Sequence, residues 1–128
     1  MDTKKLLRQK NIRPTKIRKA IVGLLFDGAD KHVTAYDVID MARQSHIKTS
    51  IASVYNTLNQ FAAAGLLRKV TVKQGKVFFD TNLSEHHHLY FENENQLEDI
   101  PVGTIQITGL PELPQGQRIK AIDVTVRI

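Results

Sequence analysis

The chain contains no cysteine among its 128 residues, and this absence excludes several kinds of chemistry. Disulfide bonds, thiolate zinc sites and thiol nucleophiles all need a thiol. The sequence also has no apolar run of about 18 residues, so it predicts no transmembrane helix. The first residues, MDTKKLLRQKN, lack the apolar core and the small-residue cleavage site of a secretory signal. Together these absences predict a cytoplasmic protein.

Catalytic motifs are missing as well. The sequence has no Gly-rich phosphate loop, no nucleophile elbow and no metalloprotease histidine pair. Its serines and carboxylates occur where helix caps and solvated surfaces explain them. We therefore expect a binding protein and not an enzyme.

The charges are distributed unevenly along the chain. Residues 1–80 contain fifteen Lys or Arg and six Asp or Glu, a net charge of +9, whereas residues 81–128 contain three and seven, a net charge of −4. A basic first part joined to an acidic second part predicts a polyanion-binding module followed by a region with another task. The alternative is a chance asymmetry of a uniformly solvated surface.

Three segments of the basic half show helical periodicity. They are TKIRKAIVGLLFDG, TAYDVIDMARQ and SIASVYNTLNQFAAAG. Thr15, Thr34 and Ser50 are the predicted N-caps, and Gly28 and Gly65 are predicted to end the first and third helices. The third segment has the clearest apolar stripe, formed by Ile51, Val54, Leu58 and Phe61.

The apolar period changes to two after the third helix. The segment LLRKVTVKQGKVFFD alternates around Gln74-Gly75, which predicts a β-hairpin. Three helices followed by a hairpin describe a winged helix-turn-helix, so the expected fold class is α+β. Other small α+β domains share this pattern, and the basic charge favours the DNA-binding interpretation.

The third helix is predicted to enter the major groove of DNA. Tyr55 can place its ring against a thymine methyl group, and the amide of Asn56 suits adenine. The alternative for Tyr55 is half-buried packing with its hydroxyl at the surface. Cations outside this helix would contact phosphates. The predicted DNA-binding set is Arg13, Lys16, Arg18, Lys19, Ser50, Ser53, Tyr55, Asn56, Arg68, Lys69 and Lys73, and Ala52 and Asn59 are predicted to project outward from the same helix.

Three consecutive histidines begin the segment HHHLYF in the acidic half. If the segment is a strand, His86 and His88 share one face and His87 points to the other. Imidazole nitrogens bind Zn²⁺, iron and haem iron. The alternative is a solvated strand start that binds nothing.

The acidic half predicts a small β-sheet. We expect strands at about residues 87–92, 96–100 and 118–128, and the Gly and Pro residues of VGTIQITGLPELPQGQ exclude a long helix before the last one. A sheet of this size is marginal alone. We therefore expect two copies to pair, with residues 1–82 as the DNA-binding domain and residues 83–128 as the dimerisation and ligand-sensing domain.

Several segments together resemble the ferric uptake regulator (Fur) superfamily over nearly the whole chain. They are RPTKIRKAIVGLLF, HVTAYDVI, SIASVYNTLNQFAAAGLLRKV and FFDTNLSEHHH. The segments HHHLYF, ENENQLEDIP, LPELPQG and IDVTVRI are most similar to its iron response regulator (Irr) branch. The resemblance implies a dimeric cytoplasmic repressor with a winged helix and a small α/β dimerisation domain. It also implies an AT-rich operator, iron- and haem-linked genes, and haem as the signal.

The resemblance also implies a ligand set, from which this sequence departs in several ways. The family's structural four-cysteine zinc site cannot exist here. The family's usual HHHDH run reads HHHLY here, so Leu89 and Tyr90 replace its last two residues. Lys73 replaces a family glutamate before the wing turn. These departures speak against ordinary Fe²⁺ binding. The implied haem- or metal-binding residues are His32, His86, His87, His88, Tyr90 and Asp99.

Haem is the first expected ligand, and Fe²⁺, Mn²⁺ or Zn²⁺ is the second. Two alternatives stay open at this point. One is a manganese, zinc or peroxide sensor of the same superfamily. The other is a haem-binding interaction protein without an operator.

Overall fold

The basic half of the chain consists of helices and short strands in the computed structural model, which describes residues 2–73 and 75–128. The described part of this half contains helices α1 (Thr3–Gln9), α2 (Lys16–Leu25), α3 (Ala35–Gln44) and α4 (Ile51–Ala63), and strands β1 (His32–Val33), β2 (Arg68–Lys73) and β3 (Lys76–Asp80). The three predicted helices and the hairpin are therefore confirmed. Helix α1 and strand β1 were not predicted.

Side-chain caps explain where the predicted helices begin. The Thr15 hydroxyl accepts from the Arg18 amide at the start of α2, and Ser50 caps α4 in the same way. Thr34 forms a reciprocal capping box with Asp37 at the start of α3. Helix α4 ends as predicted, because Gly65 follows its cap with φ of +80°. Helix α2 ends earlier than predicted, since its cap is Phe26 and Gly28 lies beyond it.

One apolar core joins the four helices to strands β1 and β3. Helix α4 contributes the fully buried Val54, Leu58 and Phe61, as its stripe predicted, while Ile51 is only partly buried. Each such side chain contributes about 1.5–3 kcal/mol when it is fully buried. The other core members come from all the remaining helices, from β1 and β3, and from the turn after α4: Leu7, Ile21, Val22, Leu25, Val33, Ala35, Val38, Ile39, Leu66, Leu67 and Phe79.

The first sheet has the strand order β1-β3-β2 and is antiparallel throughout. Strands β2 and β3 form the predicted hairpin. Gln74 of the predicted turn lies outside the described residues, and Gly75 has φ of +75°, which favours glycine. The register of β1 on β3 places His32 directly opposite Asp80.

The second sheet lies in the acidic half and has the order β5-β4-β6. Its strands are β4 (His87–Phe91), β5 (Gln96–Ile100) and β6 (Thr125–Arg127). Strand β5 pairs antiparallel with β4, and β6 pairs with β4 in parallel. The described residues 84–128 contain no helix. The α+β class is confirmed, but this second region consists of strands and irregular backbone and not of an α/β layer.

The predicted strand over residues 118–128 is wrong for most of its length. Strand β6 is parallel to β4, and Thr125 pairs with His88. Residues before Val124 would therefore have to pair with residues before His87, where β4 begins. They consequently have no ladder partner in β4, and residues 117–124 are irregular.

The chain divides into two compact units, one ending at Leu83 and the other spanning Ser84–Ile128. The boundary expected from the sequence lies one residue earlier. Among residues 2–73 and 75–128, no helix has the length and apolar character needed to cross a bilayer.

Candidate metal centre and nucleic-acid interface

Two imidazoles and one carboxylate converge at the start of β4. The register of β4 on β5 places His88 opposite Asp99, and His86, two residues earlier, contacts the same carboxylate. The Asp99 Oδ1 atom lies 3.0 Å from His86 Nε2 and 3.5 Å from His88 Nε2. The ring centroids of the two histidines are 4.5 Å apart. Both rings are buried, whereas the carboxylate is 38% exposed. We call these three residues the triad.

A backbone carbonyl fixes the proton of His86. Its Nδ1 lies 2.6 Å from the carbonyl oxygen of Ser84, and a carbonyl oxygen can only accept, so Nδ1 carries the hydrogen. In a neutral ring, Nε2 then has a lone pair directed at the carboxylate oxygen of Asp99. This arrangement is favourable only if the ring is charged or if a cation lies between the two atoms. Histidine ligands of metals usually have such a backbone partner on their second nitrogen.

The triad has the chemistry of a divalent metal site. The donor atoms of His86, His88 and Asp99 all lie within 4.8 Å of one another. Two imidazole nitrogens and one carboxylate oxygen suit Zn²⁺, Fe²⁺ and Mn²⁺. Three protein donors also leave coordination positions for further ligands. The residues therefore fit a metal ion.

A second histidine–carboxylate pair lies in the unit that ends at Leu83. His32 Nε2 is 3.1 Å from Asp80 Oδ2, and Asp80 is completely buried. The other oxygen of Asp80 accepts from the Asn82 amide at 2.9 Å. Each oxygen of this carboxylate therefore has a partner. His32 comes from β1 of the first sheet, and Asn82 comes from the turn after β3.

Asp80 is the residue that sequence reasoning missed. It ends an alternating strand just before the polar segment TNLSE, where an acidic residue ordinarily faces water. The only sequence signal is its position directly after the two apolar residues of FFD. Its burial becomes evident only when β1 is known to pair with β3.

His87 and Tyr90 differ from the triad in their partners. His87 is partly buried, and its Nδ1 accepts from the Val124 amide at 3.1 Å, which links β4 to the segment before β6. Tyr90 is fully buried, and its hydroxyl donates to the Asn95 side chain at 2.7 Å. Both residues were predicted as ligands, and the structure gives each of them a hydrogen bond that organises the second sheet.

The outer face of α4 carries the side chains that were predicted to contact bases. Tyr55 is 36% exposed and Asn56 is exposed. Ser50 is exposed and uses its oxygen as the helix cap, while Ser53 is partly buried. A helix with a buried apolar stripe and two exposed hydrogen-bonding side chains is suited to the major groove.

The predicted phosphate contacts fall into two groups. Arg13, Lys16 and the wing residues Lys69 and Lys73 are exposed, whereas Lys19 and Arg68 are partly buried. Arg18 is partly buried too, and it donates from Nε to Gln60 Oε1 at 3.2 Å and from a terminal nitrogen to the Arg13 carbonyl at 2.8 Å. The bond to Gln60 connects α2 with α4, and the bond to Arg13 connects α2 with the segment before it, so Arg18 supports the position of α4.

The ferric uptake regulator family model matches residues 9–126. The chain belongs to the ferric uptake regulator family. The ferric uptake regulation protein of Cupriavidus metallidurans is 31% identical to it over 81 residues, which cover 63% of this chain and 57% of that protein. The peroxide operon regulator of Bacillus subtilis is 30% identical over 109 residues, which cover 85% of this chain and 71% of that protein. The chain thus spans little more than half the length of the first of these relatives.

The fold of this family member also matches solved structures. The structure of a ferric uptake regulator from Pseudomonas aeruginosa with manganese has a TM-score of 0.74 and 18% sequence identity, and the match covers 100% of this chain and 97% of that one. Identity this low shows the fold alone. The comparisons confirm the predicted family and the α+β fold, while the iron response regulator branch stays a prediction.

Proposed function

We propose that this ferric uptake regulator family member is a cytoplasmic, homodimeric transcription repressor whose affinity for double-stranded operator DNA changes when a divalent metal ion binds the triad. The observation that carries this proposal is the convergence of two buried imidazoles on one carboxylate oxygen, in a chain that also has a winged helix. Family membership supports it independently.

The chain's own residues would hold the ion in a defined way. The Ser84 carbonyl keeps the His86 proton on Nδ1, so Nε2 is available as a donor. His88 and Asp99 oppose each other across β4 and β5, so the ladder sets their separation. When bound, the ion supplies coordination bonds that join these donors. An ion can shift DNA affinity only if it binds the two DNA-affinity states unequally.

His32 was expected from the sequence to belong to the same ligand set, and we keep it in the proposal. Its partner Asp80 would then position the His32 ring, because the two side chains are in contact. A double-mutant cycle between His32→Ala and His88→Ala tests this part. Coupled losses of metal affinity support a shared response, and additive losses contradict it.

The DNA-binding half of the proposal rests on α4 and the cations around it. Tyr55 and Asn56 would contact base edges of an AT-rich operator, since a phenol ring suits a thymine methyl and an asparagine amide suits adenine. The surrounding exposed lysines and arginines would bind phosphates, which fix the protein on the duplex without reading sequence.

The homodimer is supported by apolar side chains that the unit Ser84–Ile128 leaves exposed. A region this small cannot cover them itself, and a second copy would remove them from water. They are Val102, Ile107, Leu110, Leu113, Ile119, Ile122, Val126 and Ile128. Sedimentation equilibrium tests this directly, and a monomer at micromolar concentration would contradict it.

Haem is the second candidate signal, and one observation favours it. A cavity of about 390 Å³ lies beside His86 and His87. Its lining combines aliphatic side chains, including Ile105 and Ile107, with the charged Glu85 and Lys120. A cavity that places aliphatic side chains next to imidazoles suits a haem edge and its iron. In this variant of the proposal, which follows the iron response regulator branch, haem would weaken DNA binding.

The deciding experiment uses duplex DNA selected from a random pool by the full chain in the presence of Mn²⁺. Mobility shifts on that duplex are then titrated with Mn²⁺, Fe²⁺ and haem in parallel. We expect metal to change the apparent Kd of the wild-type chain at least about fivefold. The variant H86A/H88A should lose this response and keep its basal DNA binding.

A second test variant, Asp99→Asn, removes the charge of the triad carboxylate, and Glu98→Gln is its matched control. The two residues are neighbours on β5, and Glu98 is exposed and absent from the triad. The control should respond to metal like the wild type. A full metal response in H86A/H88A would overturn the assignment of the site, and release of DNA by haem alone would favour the second candidate.

A further inference from the structure

A groove of about 570 Å³ lies on the winged-helix unit, between the start of α2 and the loop that joins α3 to α4. The partly buried Ile17, Ala20 and Ile47 form its apolar floor, and the partly buried Thr15 lines it as well. Its rim carries Lys16 from α2 and His46 and Lys48 from the loop. We call this feature the basic groove. It is separate from the triad, which belongs to the unit Ser84–Ile128.

The rim of the basic groove attracts anions. Its two lysines are positive at neutral pH, and its histidine can donate a hydrogen bond from the ring. No carboxylate lines the groove among the described residues, and no acidic side chain of that part of the chain is paired with Lys16, His46 or Lys48. The three rim residues are all exposed, so they are accessible to a large ligand.

The combination of rim and floor narrows the class of ligand. An inorganic anion would use the cations and leave the three aliphatic side chains in contact with water. A nucleic-acid backbone offers a phosphate for the lysines and, directly beside it, a sugar whose carbon atoms can cover an apolar surface. Charge and apolar contact together thus favour a sugar-phosphate unit.

The position of the groove in the chain identifies the source of that unit. Lys48 lies two residues before Ser50, the cap of α4, and α4 carries the exposed Tyr55 and Asn56. A recognition helix in the major groove has a phosphate strand on each side of it, and residues next to its N-terminus reach one of these strands.

We propose that the basic groove binds one backbone phosphate and its deoxyribose of the operator duplex, with Lys16 and Lys48 as the phosphate ligands. This inference rests on the proposed DNA-binding function and adds a specific anchor to it. The anchor fixes the orientation of α4 because it joins the loop before this helix and the start of α2 to the same strand of DNA.

The salt dependence of DNA binding tests the anchor. The logarithm of the association constant falls linearly with the logarithm of salt concentration, and each neutralised phosphate contributes about 0.9 to the slope. We expect Lys16→Gln/Lys48→Gln to weaken binding of the selected duplex and to reduce the magnitude of the slope by about 0.9. The control is Lys120→Gln, which removes an exposed lysine from the other unit and should leave the slope unchanged.

Each outcome decides something different. If the wild-type chain binds no duplex at any salt concentration, both the proposed function and the anchor are wrong. If the wild type binds and the double variant keeps the wild-type slope, only the anchor is wrong. An equal reduction of slope in Lys120→Gln would also overturn it, because the effect would then reflect total charge.

Inorganic phosphate provides the last arm of the test. NMR signals of Ile47 and Lys48 are followed while phosphate is added to the metal-loaded full chain without DNA. We expect no saturable shift below about 10 mM, because an inorganic anion makes no use of the apolar floor. Saturation at submillimolar phosphate would assign the groove to a small anion and overturn the proposal. Unchanged circular dichroism of the variants shows that they remain folded.

Discussion

The two units of this protein bury different kinds of residue. The unit that ends at Leu83 packs its helices and strands β1 and β3 around one apolar core. Among the described residues of the unit Ser84–Ile128, only Tyr90 and Leu97 are buried hydrophobic side chains, and the polar His86 and His88 are buried with them. The first unit is thus organised by its own core. The second is organised around groups that can bind a ligand, so its stability should depend on what it binds.

The largest expected effect comes from removing an aromatic side chain of the core. Phe61 is completely buried, and Phe61→Ala should lower the free energy of unfolding of its unit by about 3–5 kcal/mol, because it leaves a cavity. Phe91→Ala is the matched change in β4, where the ring is only partly buried, and it should cost less than half as much. Hydrogen exchange resolved by residue measures each unit separately. Equal losses of unfolding free energy in the two variants would contradict the conclusion that only the first unit is organised by an apolar core.

Local patterns were sufficient to predict the elements that local interactions form. Helix α4 has a regular apolar stripe, a serine cap and a glycine after its end, and it lies where predicted. Helix α1 has only seven residues and one fully buried side chain, Leu7, so a signal of helical periodicity is nearly absent. So short a helix is stabilised by packing and not by its own propensity.

The missed parts of the candidate site depend on pairing between distant segments. Strand β1 has two residues and exists because it pairs with β3, nearly fifty residues later. That pairing alone brings His32 to Asp80. By contrast, His86 and His88 are two residues apart, so alternation along the chain was enough to predict that they share a face. The contact of both with Asp99 agrees with that prediction.

Metal binding should reduce the difference in stability between the two units. Mn²⁺ at 100 times its Kd should stabilise the folded state by about 2.7 kcal/mol, because the unfolded chain does not hold the donors together. We expect the slowed hydrogen exchange to be concentrated in β4 and β5. The chelated protein and H86A/H88A serve as controls and should show no such change. Protection confined to the first unit would contradict the metal site.

The two aspartates that contact histidines should respond differently to the same substitution. Asp80 is fully buried, so Asp80→Asn should cost about 1.5–3 kcal/mol through the loss of charge-assisted hydrogen bonds. Asp99 is 38% exposed, so Asp99→Asn should cost little in metal-free protein but weaken Mn²⁺ binding about tenfold or more. Urea denaturation and metal titration measure the two effects. The reverse pattern would exchange their assigned roles.

A smaller effect on stability is expected at the start of α3, the helix that follows β1. Thr34→Ala removes both the accepting hydroxyl and the reciprocal arrangement with Asp37 at the start of α3, and should cost about 1 kcal/mol. Thr34→Ser retains an accepting hydroxyl and should recover most of this loss. A drop of similar size in both variants would show that the methyl group, and not the cap, is responsible.

The smallest expected effect lies at the surface of the well-packed unit, in the Asp27–Lys31 pair. The side-chain hydrogen bond from Lys31, at 2.8 Å, and the amide of Ala29 hold the pKa of Asp27 below its ordinary value of 3.8. A carboxyl group with a lowered pKa in the folded state stabilises the fold above its unfolded pKa, and this contribution disappears as pH falls through the folded pKa. Because Asp27 is solvent-exposed, Asp27→Asn should leave stability at pH 7 almost unchanged and slightly flatten its decline below about pH 4. Thermal melts between pH 2.5 and pH 7 measure this, and a large loss at pH 7 would show that surface charge, as well as the core, stabilises this unit.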